Sequence, residues 1–290
     1  MEWQREGEVF PPPSAGDPDS DRSLRPWVIE DAVGVLRMWY SGHDGSTWRI
    51  LEATKRGELP WERLGVAIDA GFSGETDDYG VESPCVVSTP GGYLMAYGGS
   101  DGEVTRLHMA TSDDGHRWRP QGSIMQRGSE DSLGASDPCL VVTATHWWLF
   151  YTGYVGVEGG RRASILGAVS TSGASWDRMG AVLSPTTGGA AVSHPCVLDI
   201  SRTYYMFYGN DDGTRSAIGV ATSRDGAFWE RRGITLTPSA TGADALSVHT
   251  PCVVRLNDGS MRMWYAGVPK GDTNLSYRIC SAQFPSHTFD

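Results

Sequence analysis

The stretch "GASDPCLVVTATHWWLFYTG", residues 134–153, places a polar segment and a proline before an apolar run, then a turn, then an aromatic run ending in glycine. β-Branched and aromatic runs bounded by turn formers read as two strands of a hairpin. The pattern occurs four more times: "SLRPWVIEDAVGVLRMWYSG" (23–42), "GVESPCVVSTPGGYLMAYGG" (80–99), "AVSHPCVLDISRTYYMFYGN" (191–210) and "SVHTPCVVRLNDGSMRMWYAG" (247–267). Their prolines, Pro26, Pro84, Pro138, Pro195 and Pro251, are 58, 54, 57 and 56 residues apart. That is longer than the roughly 40–50 residues of common four-stranded propeller repeats, and reads as one such unit with longer loops. A third strand follows in each unit ("RLHMATS", "SILGAVSTS", "AIGVATS"), then a turn and a tryptophan, as in "TSDDGHRW" and "TSRDGAFW", then a short polar strand. Asp-Gly favours a tight hairpin, and the tryptophan is expected to pack on the next blade.

A single four-stranded sheet cannot hide both faces, whereas sheets arranged radially cover one another. Five repeats therefore predict an all-β fold: a five-bladed β-propeller of four-stranded antiparallel blades around a central funnel, with residues 1–290 as one domain. The first full repeat starts near Ser23, so "MEWQREGEV" is free to add a strand to the last blade, which runs out near "SAQFPSHTFD". The 37 glycines, 16 prolines, 11 tryptophans and 11 tyrosines fit many short strands. A net charge of -11 repels phosphate backbones and anionic head groups, so neither nucleic acid nor membrane is an expected partner. The N-terminus has no basic stretch leading into an apolar core, and no run approaches the ~18 apolar residues of a span, so a cytoplasmic location is expected.

Cys85, Cys139, Cys196 and Cys252 each follow the anchoring proline, where the first repeat has Trp27. Equivalent positions in different blades call for a small apolar residue beside a neighbouring sheet rather than for disulfides. No C-x-x-C pair or Cys/His spacing suggests zinc, and Cys280 reads as core.

Residues in front of the prolines should converge on one mouth of the channel. Immediately before the proline stand Arg25, Ser83, Asp137, His194 and Thr250; one step earlier stand Leu24, Glu82, Ser136, Ser193 and His249. Scaffold positions repeat, as the cysteines do, whereas these differ from blade to blade and are rich in ionisable groups. Such a constellation suits acid–base chemistry, because neighbouring charges drive pKa values apart. A second ring, Asp21, Asp78, Asp131 and Asp244, lies 5, 6, 7 and 7 residues upstream of its prolines. It reads mainly as turn caps, with Asp21 and Asp131 as extra site carboxylates. His43 and Asp44, Asp101, Tyr154, and Asp211 with Asp212 follow the second strands and are expected to rim the pocket. Trp39, Trp147, Trp148 and Trp264 read as inter-blade packing rather than sugar platforms.

Five blades, "DP" or "ESP" before the inner strand, "MWYSG"-type second strands and "ATSxDGxxW" ends resemble the five-bladed propeller glycosidases, including glycoside hydrolase families 32, 43 and 130. "GVESPCVV…GYLMAYGGSDGEVTRLHMATSDDGHRW" is similar to the mannoside phosphorylase and hydrolase pattern, which has Glu-Asp-Pro at that place. The resemblance covers nearly the whole chain and implies a funnel for a sugar, with acidic residues from different blades as acid and base. This sequence departs from it at Arg25, where families 32 and 43 carry an aspartate before or near the strand, and at Ser83, which replaces the aspartate of Glu-Asp-Pro.

The expected function is hydrolysis of a glycosidic or similar acetal bond in a small saccharide or glycoside, which requires an acid on the leaving oxygen and a carboxylate on the opposite face. Glu82 and Asp137 are the expected pair, with Glu82 the acid because Val81 and Tyr79 would desolvate it. Arg25 would bind a substrate hydroxyl or carboxylate, and His194 and His249 would orient substrate or assist proton transfer. Two alternatives stand beside this: a lyase, dehydratase or transferase using the histidines near their ordinary pKa of ~6.5, and a non-catalytic sugar-binding propeller. No cofactor is expected, although the donor types of His194, His249 and Asp137 suit a divalent ion in the channel. A monomer or small homo-oligomer is expected.

Overall fold

The computed structural model describes residues 2–284; Met1 and the final residues of the expected closing segment lie outside the described residues. After β1 (Gln4–Glu8), the strands β2 (Arg22–Glu30), β3 (Val35–His43), β4 (Trp48–Arg56) and β5 (Glu62–Ile68) form one antiparallel sheet. β6 (Gly80–Thr89), β7 (Gly92–Ser100), β8 (Thr105–Ser112) and β9 (Arg119–Ser123) form a second. Two more groups of four follow: β10 (Gly134–Val142), β11 (Trp147–Val157), β12 (Gly160–Ser170) and β13 (Asp177–Leu183), then β14 (Ala191–Ile200), β15 (Thr203–Asp211), β16 (Ser216–Ser223) and β17 (Glu230–Leu236). The last group joins β18 (Ser247–Arg255), β19 (Met261–Val268) and β20 (Arg278–Phe284) to β1, which runs antiparallel to β20 with Gln4 opposite Gln283. The only helical element among the described residues is a 3₁₀ turn at Ser129–Asp131, and no helix is long and apolar enough to cross a membrane.

The fold is thus all-β. Separate four-stranded sheets, expected from the repeat, occur in three cases; the third and fourth groups instead fuse into one eight-stranded sheet through a single parallel pair, Ala163 with Ala191. Both positions carry only a methyl group, which lets the two backbones meet.

Every inner strand bulges at the residue and proline that open the apolar run: pairing skips from Leu24 to Trp27, Glu82 to Cys85, Ser136 to Cys139, Ser193 to Cys196 and His249 to Cys252. At each bulge the residue before proline is left-handed, with φ of 54°, 57°, 53°, 53° and 51° at Arg25, Ser83, Asp137, His194 and Thr250. Non-glycine residues rarely adopt this conformation, and a following proline ordinarily favours extended backbone. The strain re-aims one side chain per repeat toward the axis, a common use of bulges beside functional sites.

The residue after each proline closes a second ring. The Cys85, Cys139, Cys196 and Cys252 sulfurs accept the backbone N–H of Leu140, Val197, Val253 and Val28 at 3.1–3.2 Å, each in the following group. Trp27 completes the circle by donating Nε1–H to Val86 O at 2.8 Å. The cysteines are free and buried, but the expectation of a merely small apolar residue needs correction, because each thiol is a hydrogen-bonding stitch between neighbours. Trp27 also packs against the apolar clusters that fill the seams all around the axis, so the funnel is plugged rather than open. Above it remains a cavity of about 30 Å³, lined by the five prolines with Arg25, Ser83, Asp137, His194 and Thr250.

Trp39 and Trp264 are fully buried in the seams, as expected. The turn tryptophans pack in the other direction from that anticipated: Trp118 sits edge-on to Trp39 and Trp229 edge-on to Phe150, each in the preceding group. The cause lies in the Asp-Gly turn. Asp114 accepts the His116 and Arg117 N–H groups, Gly115 takes φ 74°, and its carbonyl receives Trp118 Nε1–H at 3.0 Å, folding the ring back.

Candidate active site

The residues before the prolines meet on the axis. Arg25 is the hub: its Nη1 contacts Glu82 Oε2, its Nε lies 3.2 Å from Asp137 Oδ1, and His194 Nε2 lies 3.5 Å from the same Nε. Asp137 is enclosed by donors: Ser83 Oγ at 2.8 Å and His194 Nε2 at 3.3 Å on Oδ1, Ser136 Oγ at 2.9 Å on Oδ2, and the Thr152 hydroxyl. Its side chain is 3% exposed, against 18% for Glu82. Ser136 also bonds Tyr154 Oη at 3.0 Å, and Arg161 lies over the Tyr154 ring at 4.8 Å. Neighbouring strands hold the strained backbones in place: Ser83 N–H reaches Ser41 Oγ at 2.8 Å and His194 N–H reaches Thr152 Oγ1 at 3.0 Å.

Burial pushes the Asp137 carboxyl up, but His194, Arg25 and the Ser83 and Thr152 hydroxyls pull it to about 2. Burial raises Glu82 above the usual carboxylate range despite the opposing charge of Arg25. Burial lowers His194 to about 4 against the pull of Asp137, and lowers His249 to about 4 against Asp211. Both imidazoles are therefore neutral near pH 7, and Arg25 carries the positive charge that holds Asp137. The histidine signature near ~6.5 expected for the lyase alternative does not fit these environments.

Beside the axis opens a cleft of about 360 Å³, lined by Arg25, Tyr154, Arg161, His194, Asp211 and His249 among others. The His249 ring stands edge-on to Tyr277 at 5.5 Å. On the far side of Arg25, His43 lies against Trp48 at 4.6 Å, and Trp48 lies 6.0 Å from the Arg25 guanidinium. Asp21 holds His43 Nδ1 at 2.9 Å and Arg22 at 3.2 Å.

Several expected rim residues are scaffold instead. Asp44 and Asp101 each cap a turn, accepting the N–H groups of Ser46 and Thr47 and of Glu103 and Val104, and pair with Arg49 and Arg106. The bonds from Ser46 and Thr47 hold Asp44 below the usual range; those from Val104 and Arg106 hold Asp101 at about 2. Asp131 is 1% exposed and bonded to Arg178 at 2.8 Å and Tyr151 Oη at 3.4 Å, and its tyrosine bond recurs in other repeats, which marks it as scaffold. The repeated ring contains Asp19, Asp77, Asp131 and Asp244, all seven residues before their prolines, bonded to Tyr40, Tyr97, Tyr151 and Tyr265. Asp78, by contrast, accepts Gly74 N–H in a loop. Tyr79 is 62% exposed and lies against Gly102, while Val81 is buried in the seam with Trp39, so their expected desolvation of Glu82 is replaced by enclosure around Arg25.

Sequence reading missed Trp48 and Arg161. Trp48 was detectable as the hairpin partner of His43, whereas Arg161 lies in a hairpin whose length has no counterpart among the other repeats. Among the described residues, no three His, Cys, Asp or Glu side chains gather as metal ligands.

Residues 107–272 match the model of the glycosyl hydrolases family 32 N-terminal domain, more than half of the chain. The chain belongs to that family. The chain is 25% identical over 309 residues to "Uncharacterized protein MT1551" of Mycobacterium tuberculosis, covering 96% of the chain and 99% of the relative. A solved structure described as "Glycoside hydrolase" superposes with a TM-score of 0.80 at 15% identity, covering 99% of this chain and 96% of that one. A structure from the family 130 mannoside phosphorylases, described as containing glycoside hydrolases that target β-1,2 mannosidic linkages in Candida mannan, gives 0.76 at 15% identity over 99% and 94%. At these identities the structures share the fold.

Proposed function

We propose that the five four-stranded groups are the blades of one propeller domain that hydrolyses a glycosidic bond of a small saccharide or glycoside. The observation that carries this reading is the Glu82 carboxyl, raised by burial and paired with Arg25, whose own side chain lines a cleft of about 360 Å³. That volume lies at the lower end of the ~300–1,000 Å³ usual for small-ligand sites. Burial favours the neutral acid, the form that can donate a proton to the departing glycosidic oxygen. Tyr154, Ser193, His194 and His249 supply neutral polar groups for sugar hydroxyls.

Asp137 takes a different part from the one its position suggests. With its oxygens engaged and almost no exposure, it acts as a fixed anion that orients Arg25 and His194 rather than as a group touching sugar. In the test, aryl glycosides and disaccharides are incubated with the protein, with and without inorganic phosphate, and products are weighed by mass spectrometry. Hydrolysis adds water. Glu82→Gln should lower kcat by about 10²–10⁴, and least for substrates whose leaving group needs no proton. An unaltered rate for Glu82→Gln on poor leaving groups would sink the assignment.

The Arg25 bridge between Glu82 and Asp137 favours one second reading, a propeller that binds saccharide without consuming it. Tight binding by calorimetry with unchanged ligand after prolonged incubation would select it.

A further inference from the structure

The third repeat holds a cation that no carboxylate has claimed. In the first, second and fourth repeats, pairing of the second and third strands stops at His43 with Trp48, Ser100 with Thr105 and Asp211 with Ser216. The equivalent pair in the third is Tyr154 with Ala163, and there the hairpin runs on through Val155 with Arg162, Gly156 with Arg161 and Val157 with Gly160. The arginines of the two shorter hairpins that have one in the third strand are engaged: Arg49 pairs with Asp44 at 2.6 Å and Arg106 with Asp101 at 2.5 Å. Among the described residues Arg161 forms no ion pair, and its guanidinium rests over the Tyr154 ring at 4.8 Å. Successive strand residues face opposite ways, so Arg161 and Ala163 line the cleft of about 360 Å³ while Arg162, between them, does not.

Two features tie this guanidinium to the hub. Tyr154 Oη bonds Ser136, which bonds Asp137, so the ring under Arg161 is itself anchored at the axis. Burial raises Glu82, and the charges of Arg25 and, more weakly, Arg161 pull the other way, so Arg161 acts on the carboxyl assigned as acid. Arg25, the expected partner of a substrate carboxylate, is already occupied by Glu82 and Asp137. Asp211 is the one carboxylate among the described residues lining the cleft; it accepts Gly213 N–H at 2.8 Å and pairs with neither arginine.

We infer that the cleft takes a glycoside whose sugar carries a carboxylate, a uronide, and that Arg161 binds that carboxylate; this rests on the hydrolase reading above. A guanidinium presents a planar fork of donors that matches a carboxylate with two parallel hydrogen bonds. A ring beneath it spares those donors, which lie in its plane. A hydroxymethyl group at the same carbon leaves the fork without an anion. Arg161 is exposed, so water and salt screen the pair and the preference is modest.

The test uses aryl glycosides that differ only at carbon 6: glucoside with glucuronide, galactoside with galacturonide, and the corresponding 6-phosphates. Wild type should favour a uronide over its neutral twin by about 5–30-fold in kcat/KM, chiefly through KM, and less so in about 0.5 M NaCl. Arg161→Gln should bring that ratio to within about twofold, Arg161→Lys should restore part of it, and Arg162→Gln should keep it. A wild type that neither binds nor cleaves any uronide overturns the inference, as does a preference that survives Arg161→Gln or falls equally in Arg162→Gln. A 6-phosphate favoured over the uronide overturns the choice of a carboxylate. Cleavage of the neutral glycosides with no preference for their acidic twins defeats this inference alone. If calorimetry shows Arg161-dependent binding of a uronide that is never cleaved, the hydrolase reading fails and the carboxylate site stands.

Discussion

Asp131 and Asp137 stand six residues apart, both almost wholly buried, both beside an arginine and a hydroxyl, yet they belong to different parts of the molecule. Asp131 has counterparts at the same distance from the proline in three other repeats, each bonded to a tyrosine of the second strand. Asp137 has none; its counterparts are Arg25, Ser83, His194 and Thr250. Burial and ion pairing therefore do not separate scaffold from site here. Departure from the repeat does, because a blade interface imposes the same demand at every seam, whereas a single axial pocket needs a different group from each blade.

The sharpest way to break this contrast is to remove Asp137. Asp137→Ala should leave Arg25 without its more buried partner and cost about 3–5 kcal/mol, read by urea denaturation, along with loss of activity. A stable variant would mean that Asp137 does not hold the hub. Acid should act next most strongly, and through different groups. His194 and His249 are near 4 folded against ~6.5 unfolded, so the unfolded chain binds more protons between those values, and stability falls as pH drops from about 6.5 to 4. The loss is up to about 3 kcal/mol for His194, and His194→Gln should flatten the slope of unfolding free energy against pH. Asp137, depressed to about 2, adds its own loss only below about pH 4, as the pH falls through that range.

Asp131→Asn should cost about 2 kcal/mol through its bonds to Arg178 and Tyr151, while kcat/KM stays within a few-fold of wild type; a hundredfold fall would erase the distinction between the two aspartates. The smallest effect is expected at the thiol ring. Cys139→Ala leaves the Val197 N–H without its acceptor and should cost about 1–3 kcal/mol, with activity intact when measured well below the transition temperature.

The repeat made the architecture readable before any coordinates, since five prolines at near-constant spacing determine which strands are inner and which residues face the axis. The convergence of Arg25, Ser83, Asp137 and His194 followed from that register alone. What escaped reading was conformational or relational. An X-Pro pair ordinarily signals extended backbone, so the left-handed residues that aim these side chains gave no local sign. The aspartate ring was misregistered because Asp21 and Asp78 stand near Asp19 and Asp77, and only the tyrosine contacts tell them apart. Asp211 and Asp212 are alike in sequence, and only the turn's hydrogen bonds tell them apart.

Trp27 closes the axis beneath the Arg25 hub. The molecule consequently has a single door on that line: whatever reaches the hub along the axis must back out the way it came.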